Sequence, residues 1–291
     1  MKTSIQRRLF LVGNNLFLLL LLITMIYPML YVVFASFSDS YELMRHQGLL
    51  LWPIKANIQA YLKVLQNKDI FTGYLNTIFI VGVGTGINMV MSILAAFFFS
   101  HKGMMLKKPL MLMVIFTMYF GGGMIPNYLL IKGLGLIDSL WSLLLPGAVG
   151  TYNMIILKRG FESLPASLEE SAMLDGASYI TVMLRIAVPL SLSTIAVIIL
   201  YYAVGHWNAW FNASIYLKTR AKFPLQLILR EILISNDTSS MDTAVSYEEK
   251  AVVSETIKYA IIVVSTVPIL CIYPFLQKYF IQGVMTGAVK E

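Results

Sequence analysis

The sequence predicts an all-α integral membrane protein with six transmembrane helices and one helix–turn–helix loop between two of them. Hydrophobic residues make up 58% of the 291 positions and charged residues only 13%, far from the balance of a soluble domain. Apolar stretches long enough to cross a bilayer core of about 30 Å recur along the chain. They favour a single membrane domain covering residues 1–291. We place the spans near residues 10–37, 73–99, 109–131, 139–157, 190–217 and 256–280.

The distribution of basic residues predicts how the chain is oriented. Positive clusters precede the first span and occupy the short loop after the second, and such clusters mark the cytoplasmic side. They are Lys2, Arg7, Arg8, Lys102, Lys107 and Lys108. Both termini and the 159–189 loop are then cytoplasmic, while residues 38–72 and 218–255 lie outside. The first span is too long for a signal peptide and no convincing cleavage site follows it, so we interpret it as retained.

Short helices are expected in both outer segments and in the 159–189 loop. The outer segments carry apolar spacing that predicts helices near residues 58–65 and 225–234. In the loop, Ser167 followed by Glu170 is a capping-box pattern, and Asp175-Gly176 is typical of a helix end. Ser178 is a candidate cap for a second helix that runs to Pro189. The loop is therefore predicted to be a rigid helix–turn–helix.

The predicted helix–turn–helix of the 159–189 loop also carries a recognisable residue pattern. Glu170-Ser171-Ala172, followed by Gly176, Ile186 and Pro189, resembles the Glu-Ala-Ala loop of permease subunits in ATP-binding-cassette importers, with Ser171 in place of the middle alanine. The resemblance implies the type I importer permease fold and a loop that docks on a separate ATPase subunit. The alternative is an ordinary amphipathic helix pair. The implied coupling residues are Glu169, Glu170, Ser171, Ala172, Asp175, Gly176, Ala177, Ile186 and Pro189.

The spans carry no sign of an internal energy source. No Asp, Glu or Arg lies inside them, whereas ion-coupled transporters commonly hold a carboxylate or a broken-helix ion site at that depth. The chain also has no phosphate-binding Gly-x-x-x-x-Gly-Lys-[Ser/Thr] loop. We therefore expect no cofactor on this chain and place ATP and Mg²⁺ on a partner ATPase. An ion-coupled secondary transporter is the alternative.

An enzyme is the third possibility and has less support. His46, His101 and His206 are scattered over three regions and lack the spacing of metal ligands or of a catalytic triad. We predict no catalytic residue and no metal site. The net charge of +7 follows the membrane topology, so nucleic acid is not an expected partner.

Polar and aromatic side chains inside the spans predict a route for a hydroxyl-rich solute. Aromatic faces stack on sugar rings, and amide side chains both donate and accept hydrogen bonds. The candidates are Asn88, Asn127, Tyr202, Trp207, Asn208 and Trp210. Gly121-Gly122-Gly123 and Pro126-Asn127-Tyr128 also predict a break in the third span, which is tolerated only where protein or water surrounds the backbone. Helix packing and an interfacial aromatic belt are the alternative for each candidate.

Several further segments are similar to carbohydrate importers. The segments Phe223–Gln226, Trp207-Asn208 and Gln277–Lys290 resemble the smaller permease of the maltose system. Tyr119–Pro126 is most similar to a subgroup that handles oligosaccharides, including the acidic polysaccharide alginate. The resemblance covers most of the chain and implies half of a transport channel in the bacterial cytoplasmic (inner) membrane.

The same resemblance implies a set of partners. These permeases work in pairs, usually of two different chains, within the lipid bilayer and with two ATP-binding subunits. An extracytoplasmic solute-binding protein delivers the oligosaccharide and touches the loop before the last span. The residues implied in that contact are Asn236, Asp237, Thr238, Ser239 and Ser240.

Overall fold

The structure, a computed structural model, describes residues 5–101, 106–235, 255–272 and 274, and these residues contain helices and loops but no strand. The helices are α1 Ile5–Ser36, α2 Ser40–Arg45, α3 Gln59–Gln66, α4 Lys68–Ser100, α5 Lys107–Tyr119, α6 Met124–Gly133, α7 Trp141–Leu144, α8 Thr151–Glu162, α9 Ala166–Leu174, α10 Tyr179–Leu190, α11 Leu192–Trp207, α12 Phe211–Tyr216, α13 Leu225–Ser235 and α14 Glu255–Ile272. The expected helices near 58–65 and 225–234 are confirmed as α3 and α13.

The described residues pack as two compact units. The first comprises the residues up to Lys68 together with Leu229–Val267. Its small core joins the end of α1 to the loop after α2, through the buried side chains of Ala35, Leu43 and Leu50. Tyr259 of α14 packs against this core. Most of α1 is apolar yet exposed within this chain, as expected for a helix that faces lipid or another subunit.

The second unit comprises Asp69–Ile228 and the described residues from Pro268 onward. Its core lies between α4, α8 and α11, where Phe99, Leu157 and Ile198 are buried among other apolar side chains. Gly84 allows close packing in α4, because a Cβ there would lie 2.7 Å from Nε2 of His206. A larger residue would displace the side chains of His206 and Leu144.

Helix length and composition identify α1, α4 and α14 as candidate membrane spans. Within the part of the chain that the structure describes, counting each bent pair as one span raises the total to five, with bends of 111° between α5 and α6 and 85° between α10 and α11. The bend between α5 and α6 confirms the break predicted at Gly121–Gly123. The break predicted at Pro126, Asn127 and Tyr128 is wrong, because these residues lie inside α6. Pro126 is tolerated there because it lies in the first turn, where a backbone N–H has no partner within the helix. The total of six spans and the single domain over 1–291 stay predictions.

The expected fourth span, 139–157, is not one continuous helix. It consists of α7 and the first part of α8, separated by residues 145–150. Pro146 interrupts the helix because it has no N–H to donate. The non-helical backbone is satisfied from neighbouring helices: Asn88 Nδ2 donates to the Gly147 carbonyl at 2.6 Å, and the Gly150 N–H donates to the Tyr202 hydroxyl at 2.9 Å. Irregular backbone can persist at such a place because protein surrounds it.

The expected fifth span, 190–217, is divided as well. Helix α11 ends at Trp207, and α12 begins at Phe211 after a short turn. The turn closes with the N–H of Asn208 donating to the carbonyl of Val204 at 3.1 Å.

Candidate coupling element and translocation pathway

The coupling element comprises α9, the turn at Gly176 and α10, and α9 begins two residues earlier than a capping box would place it. Pro165 occupies the N-cap position with extended backbone and no side-chain cap, and its carbonyl accepts the N–H of Leu168 at 3.2 Å. Ser167 is therefore already inside the first turn, so the capping box predicted from Ser167 and Glu170 is wrong. The fixed backbone angle of proline directs the chain into the helix in place of a serine cap.

The turn after α9 confirms the predicted role of Gly176. Its φ of +83° is in the left-handed region, which glycine reaches without steric cost. Two hydrogen bonds close the helix end: the Gly176 N–H donates to Met173 at 3.0 Å and the Ala177 N–H donates to Ala172 at 2.9 Å. This pair of bonds is the Schellman motif. Asp175 precedes it as the C-cap residue.

Helix α10 connects this turn directly to α11. Ser178 caps it as predicted, accepting the Thr181 N–H at 3.3 Å. Its middle turn, Met183–Ala187, is a π-helix that contains Ile186, and Val182, Met183 and Ala187 are buried. Pro189 lies just before the 85° bend into α11. The α10 helix is therefore packed along its inner face and fixed at both ends.

In contrast to α10, α9 has no buried side chain. Leu174 at its end is 89% exposed, and Glu170 and Ser171 are exposed as well. A groove of about 810 Å³ runs beside α9, with Glu170, Met173 and Leu174 among the residues that line it. The implied coupling residues thus form one element with a surface that the described residues leave uncovered.

An ion cluster supports the start of the coupling element. Glu162, the last residue of α8, lies 2.7 Å from Lys158, 3.5 Å from Lys107 and 3.5 Å from Arg159. Partial burial alone raises the pKa of Glu162, but the hydrogen bond from Lys158 and the three positive charges hold that pKa below its ordinary value. The carboxylate therefore stays charged at neutral pH and ties α5 to α8.

His101 is a contact residue that the sequence analysis did not select. It follows α4 directly, and its Nε2 lies 2.7 Å from Oε1 of Glu169 on α9. Its ring packs edge-to-face against Phe97, with the centroids 4.6 Å apart, and against Tyr179, at 5.1 Å. Its partner Glu169 is 68 positions further along the chain. No local sequence pattern links residues that far apart.

The pathway candidates Asn88 and Tyr202 are buried in a polar network between α4 and α11. Asn88 is 1% exposed, and its Oδ1 lies 2.6 Å from His206 Nε2. The Tyr202 hydroxyl lies 2.7 Å from the Ser92 hydroxyl. In this conformation these side chains bond helices and the 145–150 segment together, which is the packing alternative considered for them. Their contact with a solute is an untested prediction.

The remaining pathway candidates lie nearer the surface, with one exception. Asn127 and Asn208 are exposed, and Trp210 is partly buried against the cluster formed by Ala213, Leu217 and Leu227. Trp207 is 8% exposed, and its Nε1 has no hydrogen-bond partner among the described residues.

Asp138 is a second residue that the sequence analysis missed. It accepts the backbone N–H groups of Lys218 and Thr219 at 3.0 and 2.9 Å, and its other oxygen contacts the Thr219 hydroxyl and Lys222. Bonds from the side chain and backbone of Thr219, then from Lys218 and Lys222, hold the pKa of Asp138 well below its ordinary range. This carboxylate fixes the loop before Phe223. Its signal was weak, because a loop aspartate that tolerates a φ of +57° is common in turns.

The last two predictions concern the contact with the binding protein and metal binding. The binding-protein contact residues 236–240 lie outside the described residues, as does the 277–290 tail. Among the described residues, no group of three or more His, Cys, Asp or Glu side chains comes close enough to hold a metal ion.

A comparison with known protein families decides the class. The family described as "binding-protein-dependent transport system inner membrane component" matches residues 88–286, which include the whole coupling element. This chain belongs to that family. The predicted class, a permease subunit with an importer-type helical fold, is thereby confirmed. The family consists of membrane components, so this permease is a membrane protein and not the ATPase of its system.

Individual relatives match over nearly their full length. The permease is 40% identical to the polygalacturonan/rhamnogalacturonan transport system permease protein YtcP of Bacillus subtilis, over 94% of this chain and 96% of the relative. It is 41% identical to the protein LplC of the same organism, over 97% of this chain and 95% of the relative.

Solved structures agree with this placement. A chain from a bacterial ABC transporter involved in the import of the acidic polysaccharide alginate superposes with a TM-score of 0.88 at 30% identity, covering 96% of this chain and 99% of that chain. A chain from an alginate ABC transporter in complex with a pentasaccharide-bound periplasmic protein reaches a TM-score of 0.64 at 15% identity, covering 94% of each chain. The second likeness shows the fold alone.

Proposed function

We propose that the permease forms half of the translocation pathway of an importer for an oligosaccharide, driven by ATP hydrolysis on partner subunits. The observation that carries this proposal is the coupling element, in which α9 is exposed while α10 is packed and continues into α11. A rigid connection of this kind can transmit the movement of a partner into a membrane span. An amphipathic loop without a partner would not need both features.

The surface of α9 specifies the chemistry of its ATPase partner. Leu174 offers an apolar anchor at the tip, and Glu170 beside it offers a negative charge. A complementary groove would have an apolar floor and a basic rim. The ATPase would also hold the ATP and Mg²⁺. Because such an ATPase works in the cytoplasm, the coupling element would lie on the cytoplasmic side, and in the expected topology both termini would lie there too.

The proposed cargo is an acidic oligosaccharide. One relative is named for polygalacturonan and rhamnogalacturonan, and the 30%-identical structure for alginate import. All three of these polymers contain uronic acids. In this permease, the exposed amides of Asn127 and Asn208 and the aromatic ring of Trp210 are candidates for contacting hydroxyl groups and sugar faces.

Trp207 fits a pathway that changes shape. A buried N–H without an acceptor costs about 1–3 kcal/mol, so such a donor is expected to find a partner in another state. Trp207 lies at the end of α11, next to Tyr74 of α4 at a centroid distance of 6.3 Å. We infer that movement of α11 brings the indole N–H to water or to the solute.

The complete importer would contain further subunits. We propose a second, different permease, two ATPases and an extracytoplasmic solute-binding protein, assembled in the bacterial inner membrane. Residues 236–240 are proposed to contact the binding protein, because the segment is polar and follows α13 on the outer side in the expected topology.

The test is uptake by vesicles that contain the permease, its partner permease and the ATPases, supplied with binding protein and a uronic-acid oligosaccharide. We expect uptake to require ATP and to persist when an ionophore collapses ion gradients. Leu174→Glu should lower uptake and ATPase co-purification by about tenfold or more, as expected for a buried apolar anchor. Leu65→Glu is the matched control, since Leu65 is a similarly exposed leucine on α3 of the first unit.

Two results would contradict the proposal. Uptake that continues without ATP but stops with the ionophore would identify an ion-coupled transporter. Equal ATPase binding by Leu174→Glu and wild type would show that α9 does not dock on the ATPase.

A further inference from the structure

His101 connects the coupling element to a membrane span other than the one it continues into. Helix α9 leads by way of α10 into α11, but His101 directly follows the last residue of α4, a helix of 33 residues. The His101 side chain is 14% exposed and lies between Phe97 of α4, Tyr179 of α10 and Glu169 of α9. A displacement of α9 can therefore reach α4 through the His101 side chain.

The two ring nitrogens of His101 both face acceptors. Nδ1 lies 3.1 Å from the carbonyl oxygen of Phe97, and Nε2 lies 2.7 Å from Oε1 of Glu169. The Nε2 contact is off the axis of an ideal hydrogen bond, so it is a close polar contact that becomes an ion pair when the ring is protonated. A neutral imidazole has only one N–H, whereas the imidazolium form has two. With Glu169 ionised, only the protonated ring satisfies both neighbours.

Charged groups of both signs surround His101. Lys107 donates to the carbonyl of His101 at 3.0 Å, which fixes the backbone, and Lys107 also lies 3.5 Å from Glu162 of α8. Glu170 of α9 and Arg159 of α8 line the same groove. The ionisable group from α10 is the phenol of Tyr179, whose ring meets the imidazole edge-to-face.

We propose that His101 is a positioning residue for coupling: in its protonated form it binds Glu169 and transmits the movement of α9 to α4. Loss of the proton removes the positive charge that attracts the Glu169 carboxylate, so the contact between α9 and α4 loosens while α9 stays attached to α11. The inference rests on the proposed function, in which α9 receives the movement of an ATPase. It adds a second route into the membrane, and it makes that route sensitive to pH.

The direction of the pH effect follows from the two charges. Raising the pH neutralises the imidazolium and leaves the Glu169 carboxylate without its positive partner. Coupling through His101 should therefore be strongest in mildly acidic conditions and should weaken toward alkaline pH.

The experiment measures oligosaccharide uptake per ATP hydrolysed by the assembled importer in vesicles, at pH values from about 5.5 to about 8. We expect His101→Gln and Glu169→Gln each to lower this ratio by about fivefold at the acidic end, within the usual range of coupling between sites. The double variant should lose no more than either single variant, because both remove one contact. The wild-type ratio should fall as the pH rises, and the ratio of His101→Gln should stay flat.

A matched control and an assembly measurement make the result specific. His46→Gln is the control, since His46 is exposed and its ring meets the carbonyl of Leu49 in the first unit. Its ratio should follow wild type at every pH. Wild-type ratios and pH dependence in both His101→Gln and Glu169→Gln would overturn the proposal. Failure of the ATPases to co-purify even with wild type would instead count against the proposed function.

Discussion

At the scale of single residues, Gly176 is the clearest case of a side chain chosen by backbone geometry. Its φ is +83°, and no atom lies within 4 Å of where a Cβ would be. Space is therefore not the constraint at this position. The left-handed conformation itself costs an L-residue about 1–2 kcal/mol. Two hydrogen bonds that close α9 depend on this conformation.

We predict that Gly176→Ala reduces coupled ATPase activity while the protein still inserts. The alanine either strains the turn or rotates α9 away from its position, so the exposed Leu174 no longer points at the same partner surface. Gly133→Ala is the matched control, because Gly133 also has no atom within 4 Å but lies in a helical conformation. Stimulated ATP hydrolysis in vesicles is the measurement. Equal activity in the two variants would show that the turn is not needed for coupling.

At the scale of elements, the contact between α4 and α11 separates packing residues from accessible ones. Asn88 and Tyr202 lie inside the contact and bond across it, while Asn208 is at the exposed end of α11. Among the described residues, the Asn208 side chain donates only to the carbonyl of Val204 in α11, at 2.9 Å. The remaining face of the Asn208 amide is therefore open to water, whereas the Asn88 amide is buried.

We predict that Asn208→Cys reacts with a water-soluble maleimide in at least one state of the importer. Asn88→Cys should be protected in the resting state, because its side chain is 1% exposed. The native Cys271 is exposed and is replaced by serine first. Labelling is measured in resting and ATP-trapped complexes, after thermal unfolding has confirmed that both variants are folded. Protection of Asn208→Cys in both states would exclude it from the pathway.

At the scale of the whole molecule, the contacts of the permease with its ATPase and with the binding protein should be separable by mutation. The coupling element and the 236–242 segment lie on opposite sides of the membrane in the expected topology. A change on one side should therefore leave binding on the other side intact. Loops of this length are more often functional than simple connections.

We predict that shortening residues 236–242 weakens the stimulation of ATP hydrolysis by ligand-loaded binding protein. Insertion and co-purification of the ATPases should be unchanged, because both depend on the cytoplasmic side. The measurement is ATP hydrolysis in vesicles with increasing binding protein. Stimulation equal to wild type would mean that the segment only connects two helices.

The sequence alone determined the features that depend on neighbouring residues. The ends of α3 and α13, the break at Gly121–Gly123, the left-handed turn at Gly176 and the cap at Ser178 were all predictable. Each depends on contacts over a few positions or on the backbone preference of one residue type. The class followed from composition and from a motif that spans one loop, since those patterns are written along the chain.

Only the tertiary structure decided which polar residues pack and which are exposed. Tyr202 bonds Ser92 across 110 positions, and His206 bonds Asn88 across 118. In the same way, no local sequence pattern indicates the contact between His101 and Glu169. Residues 139–157 are predicted as one helix for the same reason, because the groups that bond the break between α7 and α8 are far away in the sequence. In that segment, side chains from α4 and α11 satisfy the backbone that Pro146 interrupts. Such partners are brought together by the packing of helices, which leaves no local pattern to read.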